Sequence, residues 1–223
     1  MQKGAFSYAF RVMLQRVLGL ALFWLGARQL SWHIWVYFGT SFVVAIISLA
    51  IMFKVNQETL NQRGKVVTDS PLWDKVLLGL YWALHFFVIH LAAGLEWQGT
   101  PPSLASFWIG MLLGIASAVL AMAALLVNTY LESTARIQQD RDQEVISTGV
   151  YSVVRHPTYL AVLLSALGIS LVFSTPYVCL TAVVVAIIIV VRTHLEDKML
   201  QEKLDGYQEY TQQVRYRLIP GIW

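Results

Sequence analysis

The chain has 223 residues, 57% of them hydrophobic and only 13% charged, and its mean hydropathy of +0.59 lies far above that of a soluble domain. This composition excludes a soluble globular enzyme and a disordered chain. A formal charge of +3 and a pI near 9.0 suggest nucleic acid at first, but the basic residues sort around apolar stretches, which points to membrane lipid headgroups and away from a nucleic-acid partner.

Six apolar stretches approach the ~20 residues that a bilayer core requires, at residues 12–27, 33–53, 73–95, 104–127, 158–174 and 177–192. The first has no small-residue cleavage site behind it and reads as a retained helix rather than a signal peptide. Lys3, Arg11 and Arg16 are read as preceding it, and Lys54, Arg63, Lys65 and Lys75 lie between or flank the second and third. Arg136, Arg141 and Arg155 follow the fourth; Arg192, Lys198, Lys203, Arg215 and Arg217 follow the last; Arg28 alone falls on the opposite side. The bias predicts six crossings with both termini in the cytosol, in a prokaryotic inner membrane or the endoplasmic reticulum.

In the third stretch, His85 and His90 are ionisable groups inside the membrane. Their spacing puts them on different faces of a helix, which argues against a shared metal site and for interhelical hydrogen bonds or acceptor binding. The "GMLLG" of the fourth stretch, residues 110–114, is a small-xxx-small pattern that predicts close helix packing within the monomer more than a dimer seam. Monomer and homodimer both stay open. Trp32, Trp35, Trp73, Trp97 and Trp108 sit near span ends, as interfacial anchors do. Cys179, the single cysteine, reads as a small buried hydrophobe.

Pro176 interrupts the last apolar run, with Ser174 and Thr175 beside it, so a tight helical hairpin is expected here. The hairpin returns the chain to the cytosolic side and brings "RHP" at its start close to "RTHLEDKML" at its end. Beyond it, Leu195, Met199, Leu204, Tyr207, Tyr210 and Val214 recur among charged residues, the pattern of an amphipathic tail lying on the cytoplasmic surface. The fold class is therefore all-α: a polytopic helical membrane protein of about six spans with a C-terminal hairpin and a tail helix. No repeat or separable soluble region divides residues 1–223.

The cytoplasmic segments are 54–71, 128–157 and the tail from Thr193, and they carry the polar residues. Pro157 suits the first turn of a helix, which puts His156 at the N-cap. With Arg155 beside it, that helix end can hold a carboxylate; a plain helix start with a snorkelling arginine is the alternative. Arg192 and Glu196 stand four apart and can pair, while Glu196 and Asp197 together can serve an amine or hydroxyl ligand.

The strings "STGVYSVVRHPTYL", "RTHLEDKMLQEKLDGYQEYTQQV" and "RYRLIPGIW" resemble the integral-membrane methyltransferases that include isoprenylcysteine carboxyl methyltransferase and the phospholipid methyltransferases. The resemblance is close from about residue 141 to the C-terminus, and "NQETLNQRGK" at 56–65 is similar to prokaryotic members. It implies that S-adenosyl-L-methionine binds in residues 128–223, without a Rossmann fold, and that 1–127 form the acceptor side. It further implies that Gln143, Gly149, Tyr151, Arg155, His156, Pro157, Tyr159, Glu196, Asp197 and Tyr207 shape the cofactor pocket. Gln143 stands where many members have histidine, Val150 replaces a common proline, Ala161 a common glycine, and Asp197 the second glutamate. A carboxylate acceptor needs an arginine to orient it and no base, a role for Arg192. An amine must arrive deprotonated, a role for Glu196 or a histidine. The implied partner is a hydrophobic or lipid-borne acceptor. The ending "VRYRLIPGIW" is also similar to the tails of NADPH-dependent membrane sterol reductases, and a non-catalytic membrane protein retaining the half-fold is a third reading.

Overall fold

The computed structural model describes residues 3–27, 29–65, 69–101 and 103–223. Arg28, residues 66–68 of the 54–71 segment and Pro102 lie outside the described residues. All regular structure among these residues is helical: α1 (Lys3–Gly26), α2 (Trp32–Val55), α3 (Gln57–Gly64), α4 (Leu72–Trp82), a π-helical segment (Ala83–Val88), α5 (Ile89–Glu96), α6 (Leu104–Val127), α7 (Pro157–Phe173), α8 (Pro176–Lys203) and α9 (Tyr207–Gln213). The stretch Leu72–Glu96 runs as one helix through the π-helical segment. With α1, α2, α6 and α8 it makes five helices long and apolar enough to cross a membrane, and α7 is a shorter apolar one.

The outer faces are apolar. Leu112, Val119 and Leu25 are 65%, 63% and 81% exposed, a disposition that fits lipid and not water. Inside, Phe23, Phe38, Phe107 and Phe173 form one core with Ile89 and Ala93. Trp97, expected at the interface, is instead buried in that core, edge-on to Phe23 and Phe173 at ring distances of 6.2 and 5.9 Å. Trp32, Trp35 and Trp108 do face outward. Cys179, expected buried, is exposed on α8.

Two boundaries differ from the sequence reading. Helix α1 begins at Lys3, so Arg11 and Arg16 lie within it and do not precede it; a hydropathy window discounts the turns that carry them. Helix α8 continues to Lys203. Its 28 residues make a rod about 42 Å long against a hydrocarbon core of about 30 Å, so the last turns stand clear of the membrane and carry Glu196 and Asp197 with them.

The hairpin turn is as read. Ser174 takes the left-handed conformation (φ 50°, ψ 40°) and Pro176 opens α8. The Glu96 carboxylate caps that helix, accepting from the backbone N–H groups of Tyr177 (3.1 Å) and Val178 (3.4 Å). Helices α6 and α7 touch backbone to backbone: a Cβ on Gly110 would lie 2.5 Å from the Gly168 carbonyl oxygen. Of the glycine pattern at residues 110–114, Gly110 thus serves packing within the monomer. His90 bonds the Tyr37 hydroxyl (3.2 Å), and His85 bonds Ser165 (3.3 Å) across to α7.

One end of the bundle gathers the start of α1, α3, the start of α4, the 128–156 segment and the end of α8. Gly4 N–H donates to the Asn61 side chain (3.1 Å), and Arg63 donates to the carbonyls of Leu131 (3.2 Å) and Glu132 (3.1 Å).

Candidate active site

The "RHP" segment lies alongside the tail. The backbone N–H groups of Arg155 and His156 donate to the carbonyls of Tyr216 (3.0 Å) and Arg217 (2.9 Å). His156 occupies the N-cap of α7 without a side-chain capping bond, and Pro157 follows as its first residue. The carboxylate expected near this helix end comes from the chain itself, as Asp197.

Asp197 is wholly buried and is the hub of the site. Arg155 grips it with two parallel bonds along one edge of the guanidinium, Nε to Oδ1 at 2.8 Å and Nη2 to Oδ2 at 3.0 Å. Arg217 Nε (2.7 Å) and Gln201 (2.7 Å) donate to Oδ2. The Tyr207 hydroxyl donates to Oδ1 (3.1 Å), and His156 Nε2 stands 3.1 Å from the same oxygen. A buried carboxylate is tolerated only when its lone pairs are filled in this way. Burial works against the charge on Arg155, yet the Asp197 carboxylate overrides it and raises the guanidinium above its ordinary pKa. Arg155 also ties down the tail through the carbonyls of Val214 (2.8 Å) and Arg215 (2.9 Å).

Glu196, one residue earlier, accepts a hydrogen bond from the Tyr159 hydroxyl. The Tyr159 ring is stacked on His156, 5.7 Å away at 10°, and Arg192 lies over its other neighbourhood at 5.3 Å from the centroid. Arg192 does not use its hydrogen bonds on Glu196. Its Nε donates to Asp74 Oδ1 (2.8 Å) and its Nη2 to the Ser133 carbonyl (2.7 Å), while Asp74 Oδ2 accepts from Ala135 N–H (3.0 Å). That buried pair joins α4, α8 and the 128–156 segment.

Between these groups lies a cavity of about 230 Å³, and its walls include Gln143, Tyr151, Arg155, His156, Tyr159, Arg192, Glu196 and Tyr207. Gly149, Pro157 and Asp197 stand behind the wall. Gly149 has φ 59° and starts the short helix Gly149–Ser152 that presents Tyr151; a left-handed residue here favours glycine. The Tyr210 hydroxyl braces that turn by donating to the Tyr151 carbonyl (2.6 Å). Gln143 Oε1 accepts from the Gln138 N–H (2.8 Å), which folds the loop onto itself. Burial pushes the phenols of Tyr151, Tyr207 and Tyr210 above their ordinary range.

Sequence reasoning missed Asp74, Glu132, Thr134, Arg136, Leu200 and Tyr210. All but Asp74 line the cavity. Asp74 had one usable signal, an acid in the first turn of an apolar span; Glu132, Thr134 and Arg136 sit in a loop whose course no periodicity reveals, and Leu200 on α8 and Tyr210 on α9 belong to an amphipathic pattern that does not say which face meets the cavity.

A second cavity of about 380 Å³ extends into the membrane between α1, α2, α6 and α7. Tyr8, Gln15, Arg63, Tyr81, Phe86 and Val162 line both cavities, so the two adjoin.

This architecture defines a helical membrane protein whose C-terminal hairpin and tail enclose a polar cavity opening toward a membrane-embedded one. Residues 105–205 match the family model described as phospholipid methyltransferase. The chain is also similar to a solved structure of the eukaryotic intramembrane Ras methyltransferase, isoprenylcysteine carboxyl methyltransferase, with 21% identity and a TM-score of 0.54 over 95% of this chain and 74% of that one. That likeness is one of fold. No curated protein matches. The resemblance drawn from the sequence is borne out: the matched residues carry the phospholipid methyltransferase pattern, on the fold of an integral-membrane methyltransferase.

Proposed function

We propose that the protein transfers a methyl group from S-adenosyl-L-methionine to a lipid-borne or small hydrophobic acceptor at the cytoplasmic membrane face. The observation that carries this reading is the junction of the two cavities, one walled by the polar hairpin residues and the other by the spans. Residues 128–223 form the cofactor half and 1–127 the acceptor side of one membrane domain, with both termini in the cytosol on the strength of the basic-residue bias.

The wall chemistry suits the cofactor. Tyr151, Tyr207 and Tyr210 with Leu200 and Leu204 offer flat and apolar surface for a base, and the Glu196 carboxylate offers a partner for a cation, both oxygens of Glu132 being taken by Arg136. The Thr134 hydroxyl is buried at this wall with no partner, an opening for a polar ligand group. When bound, S-adenosyl-L-methionine supplies an electrophilic methyl: its C–S bond breaks, a C–O or C–N bond forms, and a thioether leaves.

The chain's own residues then position and shield. Asp197 and its donors lock the tail across the cavity, which fixes the wall before a ligand arrives. Arg192 orients a carboxylate acceptor, for which no base is required. Glu196 takes the proton of an amine acceptor.

Calorimetric titration of the detergent-purified protein with S-adenosylhomocysteine, run beside NADPH, tests the reading. Saturable adenosyl binding that His156→Ala abolishes supports it; binding of NADPH alone overturns it in favour of a reductase.

A further inference from the structure

Arg16 lies thirteen residues beyond the first residue of α1, about 20 Å along the helix axis. Its guanidinium is held by backbone carbonyls alone, Nε to Ser41 on α2 (3.2 Å) and Nη1 to its own helix at Val12 (2.9 Å). No carboxylate pairs with it among the described residues. An arginine within an apolar span is unfavourable unless something compensates its charge. The interior arginine of α8, Arg192, shows the ordinary solution, with buried Asp74 beside it.

Arg16 and Arg63 both line the membrane cavity, and neither an aspartate nor a glutamate does so among the described residues. The same walls offer apolar side chains such as Val44, Leu49 and Ile115, and the buried Nδ1 of His85 there has no partner. Two guanidinium groups, hydrocarbon and no internal anion make a cavity complementary to one kind of occupant.

We infer that Arg16 is the anion-binding residue of this membrane cavity, and that its ligand is an amphiphile bearing a carboxylate or phosphate with an alkyl chain. This rests on the methyl-transfer reading only in identifying that amphiphile with an acceptor whose methylated group is an amine, the anion staying at Arg16. The charge at Arg16 sets which lipids are admitted, and the hydrocarbon walls set that they are lipids.

The test uses the full-length protein in neutral detergent, with dodecyl phosphate and dodecanol as probes and S-adenosylhomocysteine titrated separately. The wild type should bind dodecyl phosphate at least about tenfold more tightly than dodecanol, as a charge-assisted hydrogen bond requires. Arg16→Gln should lose that preference, and Arg16→Lys should keep part of it. Equal affinity of the wild type for the two probes overturns the inference whether or not any variant folds. So does an unchanged preference in Arg16→Gln. Displacement of dodecyl phosphate by inorganic phosphate at matching concentration would assign the site to small soluble anions and overturn the lipid part. Amphiphile preference without adenosyl binding would sink the methyltransferase reading and leave the Arg16 site standing.

Discussion

Glu196 and Asp197 are adjacent on α8, and their carboxylates do different work: Asp197 is wholly buried under two guanidinium groups, and Glu196 lines the cavity and takes the Tyr159 hydroxyl. Consecutive helical residues point about 100° apart, so one turn of helix serves both the scaffold and the cavity wall.

Asp197→Asn leaves Arg155 and Arg217 facing a neutral group and should destabilise the protein by about 3–5 kcal/mol, read as a lowered Tm in detergent with weakened adenosyl binding. Glu196→Gln keeps an acceptor for Tyr159 and should change stability by under about 1 kcal/mol. With an amine acceptor it should lower transfer about 100-fold. Equal Tm losses in the two variants would contradict this division of roles.

The Asp74 carboxylate ties α4 to α8 through Arg192. Asp74→Asn strands a buried guanidinium, with an expected loss of about 3–5 kcal/mol, while Asp74→Asn combined with Arg192→Met should recover part of it. A double-mutant cycle on thermal unfolding checks the coupling.

Two glycines of α6 should behave oppositely. A Cβ on Gly110 meets the Gly168 carbonyl oxygen at 2.5 Å, and one on Gly114 meets nothing within 4 Å. Gly110→Val should push α6 from α7 and lower the Tm by several degrees. Gly114→Ala should lie within about 0.5 kcal/mol of wild type.

The alkaline limb of stability has a defined sign. Burial, joined for Tyr207 by the Asp197 charge, raises the phenol pKa of Tyr207 and Tyr210 above the model-compound value of 10.0. The folded state thus holds these protons more tightly than the unfolded one. Their contribution is fully present below pH 10 and is lost as pH rises past it toward the folded values. The Tm should be insensitive to these groups from pH 7 to 9 and fall above about pH 10, with a shallower fall in Tyr207→Phe.

Much of this was legible from the chain. Hydropathy marked the five helices long and apolar enough to cross a membrane and the shorter apolar α7, Pro176 marked the hairpin, and the hairpin placed Arg155 and His156 beside Glu196 and Asp197. Which acid faces the cavity was not legible, because adjacent positions carry no directional signal until the helix is known to continue through Lys203. The Asp74–Arg192 pair spans 118 positions, and no local pattern links its members. Trp97 looked like an interfacial anchor because it follows a span; only the packing of Phe23 and Phe173 draws it inside.

The most direct measurement supplies S-adenosyl-L-methionine labelled in its methyl group to membranes containing the protein and counts label in the organic extract. The account predicts incorporation into extractable lipid above that of control membranes, with Glu196→Gln and His156→Ala each reducing it at unchanged protein level. Label that stays wholly in the aqueous phase, or incorporation indifferent to both substitutions, would contradict it.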